Sequence, residues 1–477
     1  MSDYPLIIIG GGLSGLAAGI RFARFGQKVL ILEKHSKPGG LNSYYTRQGR
    51  LFETGLHAIT NYAGPEEKHA PLNRLFRQLK LSRQQFPIHQ QLCSEVVFPG
   101  RASLSFSNSF DRLLEEIRDK FPRAIDRFLQ LVMEIKELDA FRPQPRMPTR
   151  ARLLAALDDE LLVELLLCPL MFYGASEEHD MDFTQFAIMF RAIFLEGMFR
   201  PAGTIKDFLE LLISQYKTFG GELRLRAPVL EIMQVSEQNG RRVHGVRLAS
   251  GEVVTCDVLL STIGHPETLA LIPAPPNGAT ENTAALAGRV SFIESIALLP
   301  RAACGHIRND RTIIFYNLAE KFFYGRPEEA VDLASGVICF PDNFQGLPTT
   351  DTIQIRVTHL ANYDLWKKTA DKQEAYRQLK EEWIKRSRQT VGKIIGNYPE
   401  NVVYEDSFTP LTIERFTARS QGAVYGSPRK IKDGRTPYEN LFIAGTDQGF
   451  LGIVGSMLSG VSIVNQCILQ GQDSTRN

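Results

Sequence analysis

Residues 5–33 read PLIIIGGGLSGLAAGIRFARFGQKVLILE. Residues 6–9 are a short, Ile-rich run bounded by glycine, the pattern of a strand buried on both faces. Gly10, Gly12 and Gly15 follow in the spacing G-x-G-x-x-G, and Gly19 comes four residues later. Apolar residues at helical spacing over 16–25, including Leu16, Ile20 and Ala23, predict a helix that Gly26 stops. A second apolar strand over 29–32 ends on Glu33.

Each part has a chemical task. Gly10 permits the tight turn out of the strand. Gly12 lacks a side chain, so a pyrophosphate can approach the backbone. Gly15 and Gly19 let the helix lie close to the sheet. The helix N-terminus offers unpaired N–H groups and partial positive charge to a diphosphate. Glu33 stands where an acid accepts hydrogen bonds from an adenosine ribose. Strand, loop, helix, strand and acid in this order predict a dinucleotide site, not a bare glycine turn. The acid suits FAD or NAD over NADP.

A chain of 477 residues exceeds one simple core, so two or three domains are expected. Net charge is +2 with no dense Lys/Arg block, which gives nucleic-acid binding no support. Six cysteines form no C-x-x-C pair and suggest neither a zinc site nor a disulfide framework, so a reducing cytoplasm is expected. The nine histidines are scattered, without a metal-ligand cluster. No secretory leader is expected, because residues 1–4 lack Lys and Arg. The apolar stretch 449–464 is shorter than the ~20 residues that span a bilayer, and predicts a buried helix.

Past Glu33, the pair Gly39-Gly40 lets backbone approach a bulky ligand again. RLFETGLH follows at 50–57. It ends on His57, a candidate for contact with the reacting centre, beside the ordinary role of a packed histidine. Over 66–199 glycine thins and helical periodicity takes over, with helices expected at 110–117, 124–138 and 152–167. Pro143, Pro145 and Pro148 mark a break. Residues 161–172 and 183–198 are unusually apolar. They predict a helical core or, alternatively, a lipid-facing or substrate-lining surface.

Thr204 is a plausible N-cap for a helix through Tyr216. Strands are expected at 223–225, 229–235, 244–248 and 258–263, with a hairpin turn at Asn239-Gly240. Residues 286–404 hold four strand patterns, at 290–299, 312–316, 336–340 and 352–360, and a long helix over 372–395. That suits a sheet with one covered face, a substrate-binding half. NLFIAGTDQGFLGIVG at 440–455 is a second strand–glycine–helix unit. Asp447 could bind a ribityl hydroxyl, and the helix N-terminus could stabilise charge on a reduced flavin. Residues 472–477 read as a loose tail.

The fold class expected is α/β. A Rossmann-like domain for FAD or NAD, arranged like the FAD-binding domain of flavoenzymes of the two-dinucleotide-binding type, would be discontinuous over 1–65, 200–285 and 405–477. A helical region, either core or membrane-facing, would take 66–199, and a mixed-sheet substrate domain 286–404.

Taken together, IIIGGGLSGLAAG, EKHSKPGG, FETGLH, RPAGT, GGELRLRAPVLEI, DVLLSTIGHP, TPLTIERF, GAVYG and NLFIAGTDQGFLGIVGSMLSG resemble the phytoene desaturase family across nearly the whole chain. That flavoprotein family includes carotenoid desaturases, carotenoid isomerases and retinol saturases. FETGLH and GTDQGFLGIVG look more like the saturase and isomerase branch. Leu41 departs from the Arg, Lys, Cys or small residue that many relatives place after the glycine pair.

The resemblance implies non-covalent FAD. Gly10, Gly12 and Gly15 would face its diphosphate, Glu33 the ribose, and Val229 the adenine through its backbone. Gly39, Gly40, Gly445 and Asp447 would approach the cofactor, and Val454 and Gly455 the flavin ring. The implied activity is desaturation, saturation or isomerisation of a long apolar isoprenoid or polyene by hydride transfer to or from flavin N5. Peripheral contact with a membrane surface would follow from where such substrates dissolve. His57 and Tyr425 are the candidate proton donors, from their neighbouring glycine motifs.

Two other readings stand beside this one. An FAD-dependent amine oxidase-like enzyme would need an aromatic cage near the flavin, although tryptophan is scarce, with only Trp366 and Trp383. A non-catalytic prenyl-lipid carrier of the same architecture would have little use for the whole nucleotide fingerprint.

Overall fold

The computed structural model describes residues 2–139, 145–237, 240–273 and 282–470. The expected turn at Asn239 lies outside these residues, as do Pro143 and the tail 472–477.

Strand Tyr4–Ile9 is the centre of the first sheet. Val29–Leu32 and then Glu222–Arg224 pair parallel on one side of it, and Val253–Ser261 and then Leu441–Ile443 on the other. Leu6, Ile7 and Ile8 are fully buried, as a strand covered on both faces requires. Each such side chain contributes roughly 1.5–3 kcal/mol through burial. Val229–Glu237 and Gly240–Leu248 extend this sheet as an antiparallel meander.

Helices Leu13–Ala23, Ile205–Thr218 and Gly452–Ile463 pack together in one core with one face of this sheet. Thr204 caps the second with a capping box to Asp207. The first and third approach so closely that a Cβ on Gly460 would lie 2.2 Å from the Ser14 carbonyl oxygen. The stretch Gly452–Leu469 is long and apolar enough to cross a membrane, but half of it is buried here.

The second sheet runs Tyr404–Phe408, Ser291–Pro300, Thr352–Ala361, Ser335–Cys339, Ile313–Asn317, Ser94–Phe98 and Ala102–Phe106. All neighbours are antiparallel except Ile313–Asn317 with Ser94–Phe98. The sheet is mixed, as expected, but its last two strands come from the stretch read as helical. They form a local hairpin, and Ser94–Phe98 joins the sheet through Ile313–Asn317, more than two hundred residues away, which local periodicity does not reveal.

The helix expected over 152–167 is two helices, Thr149–Leu157 and Glu160–Gly174. Asp158 breaks it at φ 54°, and the Asp159 carboxylate caps the next turn by accepting from Leu162 N at 2.9 Å. The two very apolar segments are core. Leu165, Leu166, Leu167, Phe186 and Phe190 are fully buried in a cluster that includes residues of the second sheet. The apolar surface of this region lies instead at Leu129, Met133 and Leu154, which are 37%, 61% and 40% exposed.

Candidate active site

The two sheets together enclose a cavity of about 690 Å3. Gly40, Thr446 and Gly452 reach it from the first sheet and its loops, and Glu294, Val337 and Thr358 from the second.

At the nucleotide end, Gly10 adopts φ 104° and its N–H donates to the Leu32 carbonyl at 2.8 Å. A Cβ on Gly15 would lie 2.1 Å from the Gly10 carbonyl oxygen, so only glycine fits there. Gly12 differs: nothing lies within 4 Å of where its Cβ would be, and it precedes Leu13–Ala23 with no side-chain cap. Open space and uncapped N–H groups meet at one helix N-terminus. Beside them the buried Ser14 hydroxyl has no partner among the described residues.

Glu33 lines the cavity. Its carboxylate accepts from Gly11 N and His35 N, each at 2.7 Å. Its carbonyl accepts from Ala227 N at 2.9 Å, which brings the start of strand Val229–Glu237, and so Val229, to the same end. Gly39 N–H donates to the Gly11 carbonyl at 2.9 Å, and Gly40 lies open to the cavity with Leu41 beside it.

Between strand Leu441–Ile443 and the closing helix Gly452–Ile463, Gly445 N–H donates to Ser459 Oγ of that helix at 2.6 Å. Asp447 is fully buried, and its carboxylate accepts from His265 N at 2.6 Å and Ser427 N at 3.0 Å, with Arg419 3.4 Å away. Burial opposes its charge, but Arg419 and Lys430 hold the carboxyl below its ordinary range. It is absent from the cavity wall, where Thr446 stands instead. A ribityl contact through the Asp447 side chain therefore does not fit this arrangement. Val454 likewise turns into the core, at 1% exposure. Gly455 is half-buried, and Gly452, Ile453 and Ser456 face the cavity from this helix.

His57 stands on the cavity wall with Nε2 2.9 Å from Glu294 Oε2 and 3.4 Å from Thr358 Oγ1. Arg356 donates to the other Glu294 oxygen, Nε at 2.6 Å. Its remaining nitrogens donate to the carbonyls of Leu56 and Thr54, both at 2.9 Å. One buried guanidinium thus fixes both the carboxylate and the backbone that carries His57. Burial works against the Glu294 charge, yet Arg356 and His57 hold its carboxyl below the usual carboxylate range. Sequence reasoning missed Glu294, Arg356 and Thr358. A signal was present: one acid and one base, each inside an otherwise apolar strand pattern, have to find each other when buried.

Tyr425 also lines the cavity, but its hydroxyl donates to the Phe172 carbonyl, and burial pushes its pKa well up. That phenol is engaged with backbone and is poorly placed to exchange protons. Its ring meets Phe292 at 6.0 Å, and Phe292 stacks with Phe172 at 6.1 Å, which makes a continuous aromatic wall. Trp366 and Trp383 pack in a separate cluster and build no cage here.

Such a fold and site define an FAD-binding oxidoreductase of two-dinucleotide architecture. The open Gly12 cradle, the unpartnered Ser14 hydroxyl and the Glu33 carboxylate fit FAD. The chain belongs to the flavin containing amine oxidoreductase family, which its residues 13–468 match. It is 23% identical over 541 residues to an all-trans-retinol 13,14-reductase of Danio rerio, covering 97% of this chain and 86% of that one. It is 24% identical over 274 residues to the lycopene-forming phytoene desaturase of Pantoea ananas, covering 52% and 53%. An oxidoreductase structure from Methanosarcina mazei shares the fold, with a TM-score of 0.65 at 16% identity over 97% of this chain and all of that one. The resemblance to carotenoid desaturases and retinol saturases thus stands.

Proposed function

We propose that this FAD-dependent oxidoreductase exchanges hydrogen with a long apolar isoprenoid or polyene, such as a retinoid or carotenoid. The observation that supports this most is the aromatic wall of Phe172, Phe292 and Tyr425 lining the same cavity as the His57–Glu294 pair. A polyene has no charged handle, so shape and apolar contact must orient it. The names of the retinol reductase and phytoene desaturase relatives agree with that substrate class.

Bound FAD supplies hydride transfer at a substrate carbon. The chain's own residues do the rest. Gly10, Gly12 and Gly15 with Ser14 hold the diphosphate, Glu33 the ribose, and the Val229 backbone the adenine. Gly39, Gly40, Gly445 and the Gly452–Gly455 turn border the flavin. The aromatic wall orients the chain and excludes water. His57 holds the proton exchanged separately: its Nε2 is committed to Glu294, which leaves Nδ1 for the exchange. Glu294 and Arg356 are positioning residues for that ring. The phenol of Tyr425 serves the wall and not the proton.

An apolar substrate dissolves in membranes, so we place the enzyme peripherally on a membrane, with Leu129, Met133 and Leu154 as the apolar contact.

The test is product analysis. Holoprotein, oxidised or chemically reduced, is incubated without oxygen with phytoene, lycopene or retinol, and the lipid is analysed by mass and retention time. Loss or gain of two hydrogens, or an isomer of unchanged mass, supports the reading. Unchanged lipids in every combination would refute it.

A further inference from the structure

A second concavity, of about 630 Å3, lies on the flank of the nucleotide-binding half and shares no lining residue with the flavin cavity. Arg21 and Arg24 reach it from the C-terminal end of helix Leu13–Ala23. Arg77 and Lys80 reach it from the end of Pro71–Leu79, with Ser82 beside them. No acid lines it. Other arginines are neutralised by carboxylates, as Arg47 is by Asp406 and Arg388 by Glu405, although not all are. Among the described residues, none of these four cations has such a partner.

Three of the four are nevertheless fixed by neutral groups, Arg77 through a hydrogen bond from Nη1 to the Lys68 carbonyl. Arg21 Nε donates to Asn465 Oδ1 at 2.6 Å, and Arg24 Nη1 to the Gln78 carbonyl at 2.8 Å. Both guanidiniums also flank the ring of Phe25, at 4.7 and 5.9 Å from its centre, and that ring is 49% exposed. Helix C-termini attract cations, which accounts for one at each end. Two at each end around one hollow, held by partners that leave their charge intact, create a positive potential that the fold itself does not neutralise.

We infer that this concavity binds a phosphate group. Paired guanidinium forks with an adjacent ammonium and hydroxyl match phosphate oxygens in geometry and charge. The phosphate could be soluble or belong to an anionic phospholipid, whose acyl region the exposed Phe25 would meet. The inference is independent of the substrate proposed for the flavin cavity.

The experiment uses flavin-loaded protein and an Arg77→Glu/Lys80→Glu variant; both positions are exposed, and the flavin spectrum reports intact folding. One arm titrates pyrophosphate by calorimetry. The other measures co-sedimentation with phosphatidylcholine vesicles, with and without phosphatidylglycerol. The expected result is binding in one arm, weakened at least about tenfold by the double variant and by added salt. Pyrophosphate binding identifies the soluble source, and retention only on phosphatidylglycerol vesicles identifies the lipid source. No binding in either arm, or equal binding by the variant, overturns the inference.

Discussion

His57, Glu294 and Arg356 form a line of three polar groups from the cavity wall into the protein interior. His57→Gln keeps the size and a hydrogen-bonding end but cannot carry the proton. Turnover should fall by roughly 10²–10⁴-fold while the flavin spectrum is unchanged. Arg356 is 1% exposed, so Arg356→Met removes the permanent counter-charge of the buried Glu294 carboxylate and leaves it only His57 and Thr358, at a cost of about 3–5 kcal/mol in a denaturant melt. Adding Glu294→Leu to that variant should recover much of the loss, because an apolar pair replaces a buried charge that has lost its permanent counter-charge. Strict additivity of the two costs would contradict the pairing.

Glu196 gives a pH prediction. Burial raises its carboxyl from 4.5 to about 7, which the Asn61 amide and Arg191 only partly offset. The unfolded chain releases this proton near 4.5 and the folded chain only near 7. Stability contributed by the protonated form is therefore present at low pH and lost as pH rises through that window. Glu196→Gln should flatten this part of the curve of melting temperature against pH. An unchanged slope would contradict it.

At the scale of elements, the contact of Leu13–Ala23 with Gly452–Ile463 joins the two glycine motifs. Gly460→Ala would force its new methyl against the Ser14 carbonyl. The expected cost is about 1–3 kcal/mol, with weaker FAD retention on gel filtration. Wild-type stability and retention would show that the helices part without consequence.

The nucleotide-binding elements were legible in the sequence because backbone geometry dictates them. Gly10 needs its positive φ, Gly15 has no room for a Cβ, and Glu33 follows at the end of the next strand. The direction of the Asp447 side chain was not legible, because it is set by Arg419 and the His265 backbone, which no local pattern encodes. The strands Ser94–Phe98 and Ala102–Phe106 were hidden in the same way, and the break at Asp158 interrupted what read as one helix.

At the scale of the molecule, the two seven-stranded sheets meet around the flavin cavity, with helices covering the first and the apolar helical segments packed on the second. FAD bound between them stabilises only the folded chain. At a concentration ~100 times its dissociation constant it should add about 2.7 kcal/mol, read as a higher melting temperature than that of FAD-stripped protein. No gain would argue against the cradle around Gly12.

The central claim is that this cavity brings a polyene to FAD, and the most direct measurement is the flavin absorbance on anaerobic mixing. Oxidised and photoreduced holoprotein are each mixed with phytoene, lycopene and retinol. The account predicts that one of these lipids bleaches the oxidised flavin, or reoxidises or spectrally perturbs the reduced one, and that His57→Gln slows any such electron exchange. A flavin unaffected by all three lipids in both states, but bleached by amines, would contradict it.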